Sequence, residues 1–145
     1  MKDLDWSNLS FGYRRTDYNV RCYYRDGKWG EIEVCSDEYL KLHMAATCLH
    51  YGQEAFEGLK AYRCPDGKVR VFRMDENAAR LQSTCRGILM PEVPTELFEE
   101  MVKKVVRLNQ EWIPTYESGA TLYIRPLLIG TSAQVGVHPA KEYCF

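Results

Sequence analysis

A short stretch at residues 50–63, HYGQEAFEGLKAYR, concentrates side chains that could contact a small molecule. It combines the rings of Tyr51 and Phe56, the glycines Gly52 and Gly58, and charges of both signs, without helical or strand periodicity. Glycine permits positive φ or a close backbone approach, and aromatic rings can present their faces to a ligand. The stretch is therefore a candidate ligand-contacting loop, although aromatic residues in loops more often pack against the core.

Other residues with binding chemistry have an ordinary structural interpretation when only the pattern is considered. Arg80 lies on the polar side of a predicted helix, which favours a solvated surface position. Tyr123 and Arg125 alternate with apolar residues in a β-prone run, which favours the outward face of an exposed strand. The residue pattern by itself therefore assigns no function to these three side chains.

Composition limits the classes of partner. The chain has 145 residues, enough for one domain with a real core, and its 46% hydrophobic and 27% charged residues are typical of globular proteins. No run approaches the ~20 apolar residues that a membrane span needs. The net charge of -1, from 19 basic and 20 acidic residues, provides no broad attraction for nucleic acid or anionic lipid. We expect a small-molecule or protein partner, no nucleic acid and no membrane.

The cysteines and the amino terminus indicate a reducing compartment. Met1 is followed by charged residues and not by an apolar signal segment. The cysteines form no C-x-x-C pair with a second pair of ligands, so the sequence does not predict a zinc site. Reduced thiols in the cytoplasm follow most simply. The six cysteines are Cys22, Cys35, Cys48, Cys64, Cys85 and Cys144.

Two predicted hairpins lie in the first half of the chain. Alternation over residues 18–24, a turn at residues 25–28 and a return strand at residues 29–34 predict the first hairpin, with Ile32 and Val34 on one face. Residues 59–63 and 69–72, joined by a Pro-Asp-Gly turn, predict the second. Both hairpins should pair antiparallel.

Two helices should follow. Helical spacing of Ala78, Leu81, Cys85 and Ile88 predicts a helix that runs to about Leu89. A second helix should start at Glu96, capped by Thr95, and Pro114 should end it. Its expected buried stripe is Leu97, Met101, Val105, Leu108 and Trp112, widened by Phe98 and Val102.

The last third of the chain returns to strand. Residues 120–129 form a β-prone run, which Pro126 should interrupt with an edge, bulge or bend because proline lacks an amide donor. Residues 142–145 predict the opening of another strand, so we expect the chain to be a piece of a longer one. The predicted fold is α+β, a mostly antiparallel sheet with two principal helices packed on one side.

Three segments in register resemble a known family. Residues 50–63, residues 71–81 (VFRMDENAARL) and residues 120–131 (ATLYIRPLLIGT) are similar to segments of branched-chain amino-acid aminotransferases, in the same order and spacing. In these fold-type-IV pyridoxal-phosphate enzymes, a small amino-terminal and a larger carboxy-terminal domain enclose the cofactor. The resemblance implies that residues 1–145 form the small domain and that the domain with the cofactor lysine is absent from the chain.

The resemblance also implies a reaction and site roles. The family transfers the amino group of leucine, isoleucine or valine to 2-oxoglutarate, and pyridoxal phosphate supplies the electron sink. Arg80 matches the arginine that holds the cofactor phosphate, and Tyr51, Phe56, Tyr123 and Arg125 match residues that line the substrate pocket. Phe56 suits an aliphatic side chain and Arg125 a glutamate carboxylate. No catalytic residue and no metal ligand is expected within the chain.

The resemblance further implies a homodimer for the intact enzyme, and an isolated chain that is inactive and holds no cofactor covalently. Glu57, Gly58 and Lys60 also match the family, and we interpret them as structural. Some relatives carry a pocket aromatic where this chain has Arg14 and Arg15, so no substrate role is assigned there.

Two alternatives stay open. The first is another fold-type-IV enzyme, a D-amino-acid aminotransferase or an aminodeoxychorismate lyase, which would share the fold and an arginine like Arg80. The second is a non-catalytic interaction module, since a lone domain would expose surface that normally meets a partner. The substrate preference among the three branched amino acids is not encoded in any motif.

Overall fold

The computed structural model describes residues 1–145, apart from the side chain of Ser7. The described residues form strands and helices in the predicted α+β order, with one further helix and one further strand between the two predicted hairpins, in or beside residues that the sequence predicts as a loop. The strands are β1 (Asn19–Arg21), β2 (Tyr23–Arg25), β3 (Lys28–Trp29), β4 (Glu33–Cys35), β5 (Glu54–Phe56), β6 (Leu59–Arg63), β7 (Val69–Val71), β8 (Leu122–Ile124), β9 (Leu127–Gly130) and β10 (Tyr143–Cys144). The α-helices are α1 (Thr47–Tyr51), α2 (Met74–Gly87) and α3 (Thr95–Leu108), and short 3-10 turns lie at Trp6–Asn8, Gln110–Trp112 and Tyr116–Ser118.

The first predicted hairpin is present but is divided between two sheets. At its tip β2 pairs with β3 across a turn in which Asp26 and Gly27 both have positive φ, 51° and 77°. Its outer ends, β1 and β4, form a separate two-stranded sheet. Between the two parts, Cys22 exchanges backbone hydrogen bonds of 2.8 Å with Phe145. Val34, which is predicted to share a face with Ile32, is 44% exposed in the two-stranded sheet.

All strand pairs described are antiparallel, as predicted, but they form three sheets in place of one. The larger sheets have the orders β3-β2-β10-β9-β5 and β7-β6-β8. The second predicted hairpin is confirmed as the β6–β7 pair, with Gly67 at φ 75° in its turn. Glycine suits this position because other residues rarely adopt positive φ.

Pro126 separates the two larger sheets. β8 ends at Ile124 and pairs with β6, whereas β9 begins at Leu127 and pairs with β5 and β10. The carbonyl of Pro126 accepts a hydrogen bond of 2.9 Å from the backbone N–H of Glu57. The interruption predicted at Pro126 is therefore confirmed, and it is a bend that moves the chain from one sheet to the next.

The first predicted helix is confirmed as α2, with Ala78, Leu81 and Cys85 buried. Its last predicted core position is wrong. Ile88 lies beyond the helix end and is 40% exposed, because Leu89 at φ 57° turns the chain away. The buried positions place α2 against β5 and α3.

The second helix, α3, starts at Thr95, one residue before the predicted start. Thr95 does not cap it, and its hydroxyl accepts a hydrogen bond of 3.3 Å from Gln82. The buried side is rotated from the predicted stripe, so Leu97, Val105 and Leu108 are only half-buried. Trp112 belongs to the separate 3-10 turn. The fully packed positions are Phe98, Met101, Val102 and Val106.

The core lies between the two long helices and the sheets. Phe98 of α3 is fully buried and stacks on Phe145 with ring centroids 5.9 Å apart, and Trp29 meets Phe145 edge to face. Burying one such side chain contributes about 1.5–3 kcal/mol relative to leaving it exposed. The packing of the core holds α2 beside the segment that follows β5.

Among the helices described, none has the length and apolarity required to cross a membrane.

Candidate functional site

Arg80 is held by a forked contact with Glu57. Arg80 projects from α2, and Glu57 follows β5, so their contact depends on the packing of that helix on that strand. Nε of Arg80 donates to Oε1 of Glu57 at 2.8 Å, and Nη2 donates to Oε2 at 2.6 Å. Two parallel charge-assisted hydrogen bonds fix the orientation of a guanidinium plane as well as its position. The predicted solvated arginine is thus exposed but not free to rotate.

The two partners differ in their access to water. The Glu57 side chain is 3% exposed, whereas the Arg80 side chain is 68% exposed. Burial alone would raise the pKa of the Glu57 carboxyl, but hydrogen bonds from Arg80 and Asn77 outweigh burial and lower that pKa below its ordinary value. Asn77 contributes its side-chain amide, which donates to Oε2 of Glu57 at 2.8 Å. Glu57 therefore stays ionised at neutral pH although it is buried.

The second arginine of the predicted site lies between aromatic rings. The guanidinium carbon of Arg125 is 4.4 Å from the ring centroid of Phe56 and 5.3 Å from that of Tyr123. Nε and Nη2 of Arg125 also approach the Tyr123 hydroxyl, at 3.3 and 3.0 Å. The ion pairs of the described side chains include none to Arg125. This cation is available to an incoming carboxylate.

Strand register explains why Tyr123 faces outward. Lys60 of β6 lies directly opposite Tyr123 of β8, and residues in register on paired strands share a face. Leu59 and Ile124 are buried on the other face. The expected alternation holds for the buried Ile124 and the exposed Arg125, whereas Leu122 and Tyr123 are both half-buried. Lys60 and Tyr123 share one face of the sheet, next to Arg125.

Residues 56–58 connect the two arginines. Phe56 packs on Arg125, Glu57 holds Arg80, and Gly58 lies against Tyr123. A Cβ at Gly58 would overlap the Tyr123 hydroxyl and lie 3.2 Å from its ring carbon Cζ, so any other residue here would force the Tyr123 side chain to shift. The structure therefore brings four of the five predicted site residues to one short segment.

Tyr51 lies apart from this group. It occupies the end of α1, and its described contacts are with the ring of His50 and with the backbone of Val135, whose carbonyl accepts a hydrogen bond from the Tyr51 hydroxyl. The left-handed Gly52 at φ 60° then turns the chain into β5. Tyr51 and Phe56 are neighbours in the sequence motif, but their described side-chain contacts are with different parts of the chain.

A groove of about 390 Å³ opens beside the second arginine. Tyr123 and Arg125 line one end of it, and its walls include apolar side chains such as Val105, Leu122 and Leu127. Tyr51, Phe56 and Arg80 do not line the groove. We therefore define the candidate site by the contacts of the two arginines and treat the groove as adjoining space.

Sequence reasoning missed Glu57 and Asn77 as members of the site. From the sequence, Glu57 has only a structural interpretation, and no motif assigns a role to Asn77. A signal was present for Glu57, because a carboxylate flanked by Phe56 and Gly58 in a poorly solvated segment requires a cationic partner if it is buried. The identity of that partner, 23 residues away, could not be found from local spacing.

No family model matches the chain. A Haemophilus influenzae protein named branched-chain-amino-acid aminotransferase is 53% identical over 145 residues, which is 100% of this chain and 42% of that protein. A Helicobacter pylori protein of the same name is 47% identical over 145 residues, covering 100% of this chain and 43% of that protein. The chain thus spans about two fifths of the length of the curated relatives it matches.

Solved structures agree at the level of fold. The branched-chain aminotransferase from the thermophilic archaeon Thermoproteus uzoniensis, solved with norvaline, superimposes with a TM-score of 0.62 at 22% identity, over 88% of this chain and 39% of that one. At this identity the likeness concerns the fold alone. By sequence similarity along its whole length, the chain is a relative of the branched-chain-amino-acid aminotransferases, which are fold-type-IV enzymes.

Proposed function

We propose that the chain is the amino-terminal domain of a pyridoxal-phosphate-dependent branched-chain amino-acid aminotransferase. The intact enzyme would transfer the amino group of leucine, isoleucine or valine to 2-oxoglutarate. The observation that carries this proposal is that adjacent residues of one segment each contact one of the arginines, Glu57 holding Arg80 and Phe56 packing on Arg125. One arginine would receive the cofactor phosphate and the other a substrate carboxylate, and similarity to named aminotransferases along the whole chain supports both roles.

The surroundings of Arg80 fit a phosphate. Glu57 engages Nε and one hydrogen of Nη2, and among the described residues no acceptor is paired with Nη1. The remaining donors lie on the exposed edge of a side chain that is 68% exposed. A planar fork of N–H groups matches phosphate oxygens. Pyridoxal phosphate, when bound, supplies the electron sink for amino-group transfer.

The surroundings of Arg125 fit an amino acid with two alternative side chains. The Phe56 ring is 60% exposed and offers an apolar face to an aliphatic side chain. Arg125, with the Tyr123 hydroxyl beside it, offers donors to the second carboxylate of glutamate or 2-oxoglutarate. A pocket that accepts both needs an apolar wall with one cationic edge, and these three residues supply them.

The remainder of the enzyme would supply the chemistry. The lysine that holds the cofactor and moves the proton would come from the carboxy-terminal domain, so the isolated chain should be inactive. When pyridoxal phosphate is added to the chain, we expect no stable absorbance band of an imine between the cofactor and a lysine. A stable band that disappears when one lysine is mutated would contradict this expectation. We also propose a homodimer and a cytoplasmic location, in which the six unpaired cysteines would stay reduced.

The gene provides the first test. A reading frame that continues past Phe145 into a lysine-bearing domain is the expected result. A frame that stops at Phe145 would contradict the proposal and favour a non-catalytic interaction module.

The complete enzyme should then be assayed with leucine, D-alanine and aminodeoxychorismate as separate substrates. Activity with leucine and 2-oxoglutarate is expected. Activity confined to either of the other two compounds would assign the chain to a different fold-type-IV enzyme.

A further inference from the structure

We propose that Glu57 is a positioning residue, which presents the free edge of Arg80 to a phosphate and joins the Arg80 site to the Arg125 site. This inference rests on the proposed function, in which Arg80 receives the cofactor phosphate. Glu57 itself touches neither the phosphate nor the substrate. Its role is exerted through the two arginines.

The first argument is the geometry of the guanidinium. Both oxygens of Glu57 bind one edge of Arg80, at Nε and Nη2, so the opposite edge with Nη1 points away from the carboxylate. An unpaired arginine samples many rotamers, and a bound anion would have to order them. With the forked contact already formed, the side chain is ordered before the anion arrives.

The second argument is the anchorage of Glu57. Its side chain is 3% exposed, and Asn77 donates a further hydrogen bond of 2.8 Å to Oε2. A buried carboxylate with this donor set has little freedom to follow a moving arginine. Because Asn77 and Arg80 both project from α2, the carboxylate is held against that helix from the β5 side.

The third argument concerns the neighbouring site. The backbone N–H of Glu57 donates to the carbonyl of Pro126 at 2.9 Å, directly after Arg125. Gly58 packs against Tyr123, whose hydroxyl meets Arg125. The backbone around Glu57 therefore supports the bend that carries the second arginine, while its side chain supports the first.

The charge of Glu57 has an opposing effect that makes the proposal testable. A carboxylate beside an anion site repels every anion, so removing its charge should strengthen nonspecific attraction of anions to Arg80. Removing the forked contact should at the same time weaken recognition of the oxygen geometry of phosphate. Glu57 should therefore increase discrimination between phosphate and chloride, whatever its effect on total anion affinity.

The test uses the complete enzyme without its cofactor and nuclear magnetic resonance of the Arg80 Nε–Hε group, titrated with inorganic phosphate and with chloride. The wild-type signal should be sharp and should shift more readily with phosphate. In Glu57→Gln the signal should broaden, and the preference for phosphate over chloride should fall about tenfold, the factor expected for losing one hydrogen bond to a charged group. An unchanged preference in Glu57→Gln would overturn the proposal.

A second variant and a control keep the test decisive if Glu57→Gln does not fold. Asn77→Ala removes a donor to Glu57 without touching Arg80, so its phosphate preference should fall by a smaller factor. Asp66→Asn breaks the forked Asp66–Arg70 pair elsewhere in the chain and should leave the Arg80 titration unchanged. An Asn77→Ala preference equal to that of the wild type would count against the proposal.

The outcomes also separate this inference from the proposed function. If phosphate leaves the wild-type Arg80 signal unshifted, Glu57 positions nothing for an anion and the inference fails. If phosphate recognition depends on Glu57 but the complete enzyme transfers no amino group from leucine, the proposed function fails and the positioning role stands.

Discussion

Two arginine–carboxylate pairs in this chain have similar hydrogen-bond lengths but differ in the edge of the guanidinium they use, Nε and Nη2 in Arg80 and Nη1 and Nη2 in Arg70, and in their surroundings. Arg80 meets Glu57 with hydrogen bonds of 2.8 and 2.6 Å, and Arg70 meets Asp66 with hydrogen bonds of 2.8 and 2.7 Å. The Asp66 side chain is 45% exposed in a hairpin turn, whereas that of Glu57 is 3% exposed under a helix. Equal distances therefore do not imply equal roles.

The difference appears in the electrostatics of the two acids. Hydrogen bonds from Arg70 and from the Lys68 backbone lower the pKa of Asp66 to about 2. At Glu57 burial opposes a similar donor set, and the pKa is lowered only because those donors outweigh it. Solvent can replace the partner of Asp66. It cannot readily reach Glu57, so the buried acid depends on its arginine.

The largest expected effect comes from Arg80→Ala. It would leave the buried Glu57 carboxylate without its counter-ion, at a cost of at least about 1–3 kcal/mol, because an unsatisfied charged group costs more than a neutral one. Urea unfolding at pH 7 should show this loss, and Arg70→Ala should show a much smaller one. In the complete enzyme, Arg80→Ala should also weaken cofactor retention.

The double variant Arg80→Ala with Glu57→Gln is the control for the buried charge. It should recover part of the lost stability, because no ion is then left buried. Equal losses of stability in Arg80→Ala and Arg70→Ala would remove the distinction between the two pairs.

The glycines beside the two pairs extend the comparison. Gly58→Ala would push the Tyr123 hydroxyl away from Arg125, with an overpacking cost of up to about 1–3 kcal/mol. Gly67→Ala meets nothing within 4 Å, but its φ of 75° strains an alanine by roughly 1–2 kcal/mol. In the complete enzyme, Gly58→Ala should raise the KM for glutamate, whereas Gly67→Ala should reduce only the melting temperature. An unchanged KM for glutamate in Gly58→Ala would show that Gly58 does not position Tyr123.

Arg125→Ala tests an arginine that has no carboxylate partner among the described residues. No buried acid is left behind, so the stability should change less than in Arg80→Ala. In the complete enzyme, kcat/KM should fall about tenfold or more for glutamate and 2-oxoglutarate, the loss of a hydrogen bond to a charged group. The kcat/KM for leucine should fall by a smaller factor. A uniform loss for all three substrates would contradict the carboxylate role.

The smallest expected effect is a difference in acid sensitivity. Both acids have folded-state pKa values below their ordinary values, so each contributes stability at neutral pH that is lost as the pH falls. The Glu57 contribution should start to disappear below its ordinary pKa of 4.5, and that of Asp66 between 3.8 and about 2. The free energy of unfolding should depend less on pH below 4.5 in Glu57→Gln, and less on pH between 3.8 and about 2 in Asp66→Asn. An unchanged profile in Glu57→Gln would show that Arg80 does not stabilise the ionised form.

Local sequence signals predicted most of the elements. The Pro-Asp-Gly turn, the apolar spacing in α2 and the break at Pro126 each depend on neighbours within a few residues, and each was found. Errors arose where tertiary packing overrode the local pattern. The buried side of α3 is rotated toward Phe98 and Val106, which both belong to the buried core. Thr95 does not act as a cap, and its hydroxyl accepts a hydrogen bond from Gln82 on α2.

The candidate site divides in the same way. The sequence motifs marked Arg80, Tyr51, Phe56, Tyr123 and Arg125, and their roles stay predictions. The contact of Phe56 with Arg125 crosses from β5 to the bend after β8, and the contact of Glu57 with Arg80 crosses from a strand to a helix. Neither contact follows from periodicity, since a period identifies the face of an element and not its partner.

The sequence by itself determined the α+β class, the positions of the two long helices and of several turns, and the resemblance to a family, but it did not predict α1 or β5. The tertiary structure decided that the first hairpin divides between two sheets, that Tyr51 turns toward Val135, and that a buried Glu57 orders an exposed Arg80. The physical reason is the range of the forces. Turn chemistry and helix spacing act over a few residues, whereas the hydrophobic effect is non-directional and leaves the choice of distant partners to packing.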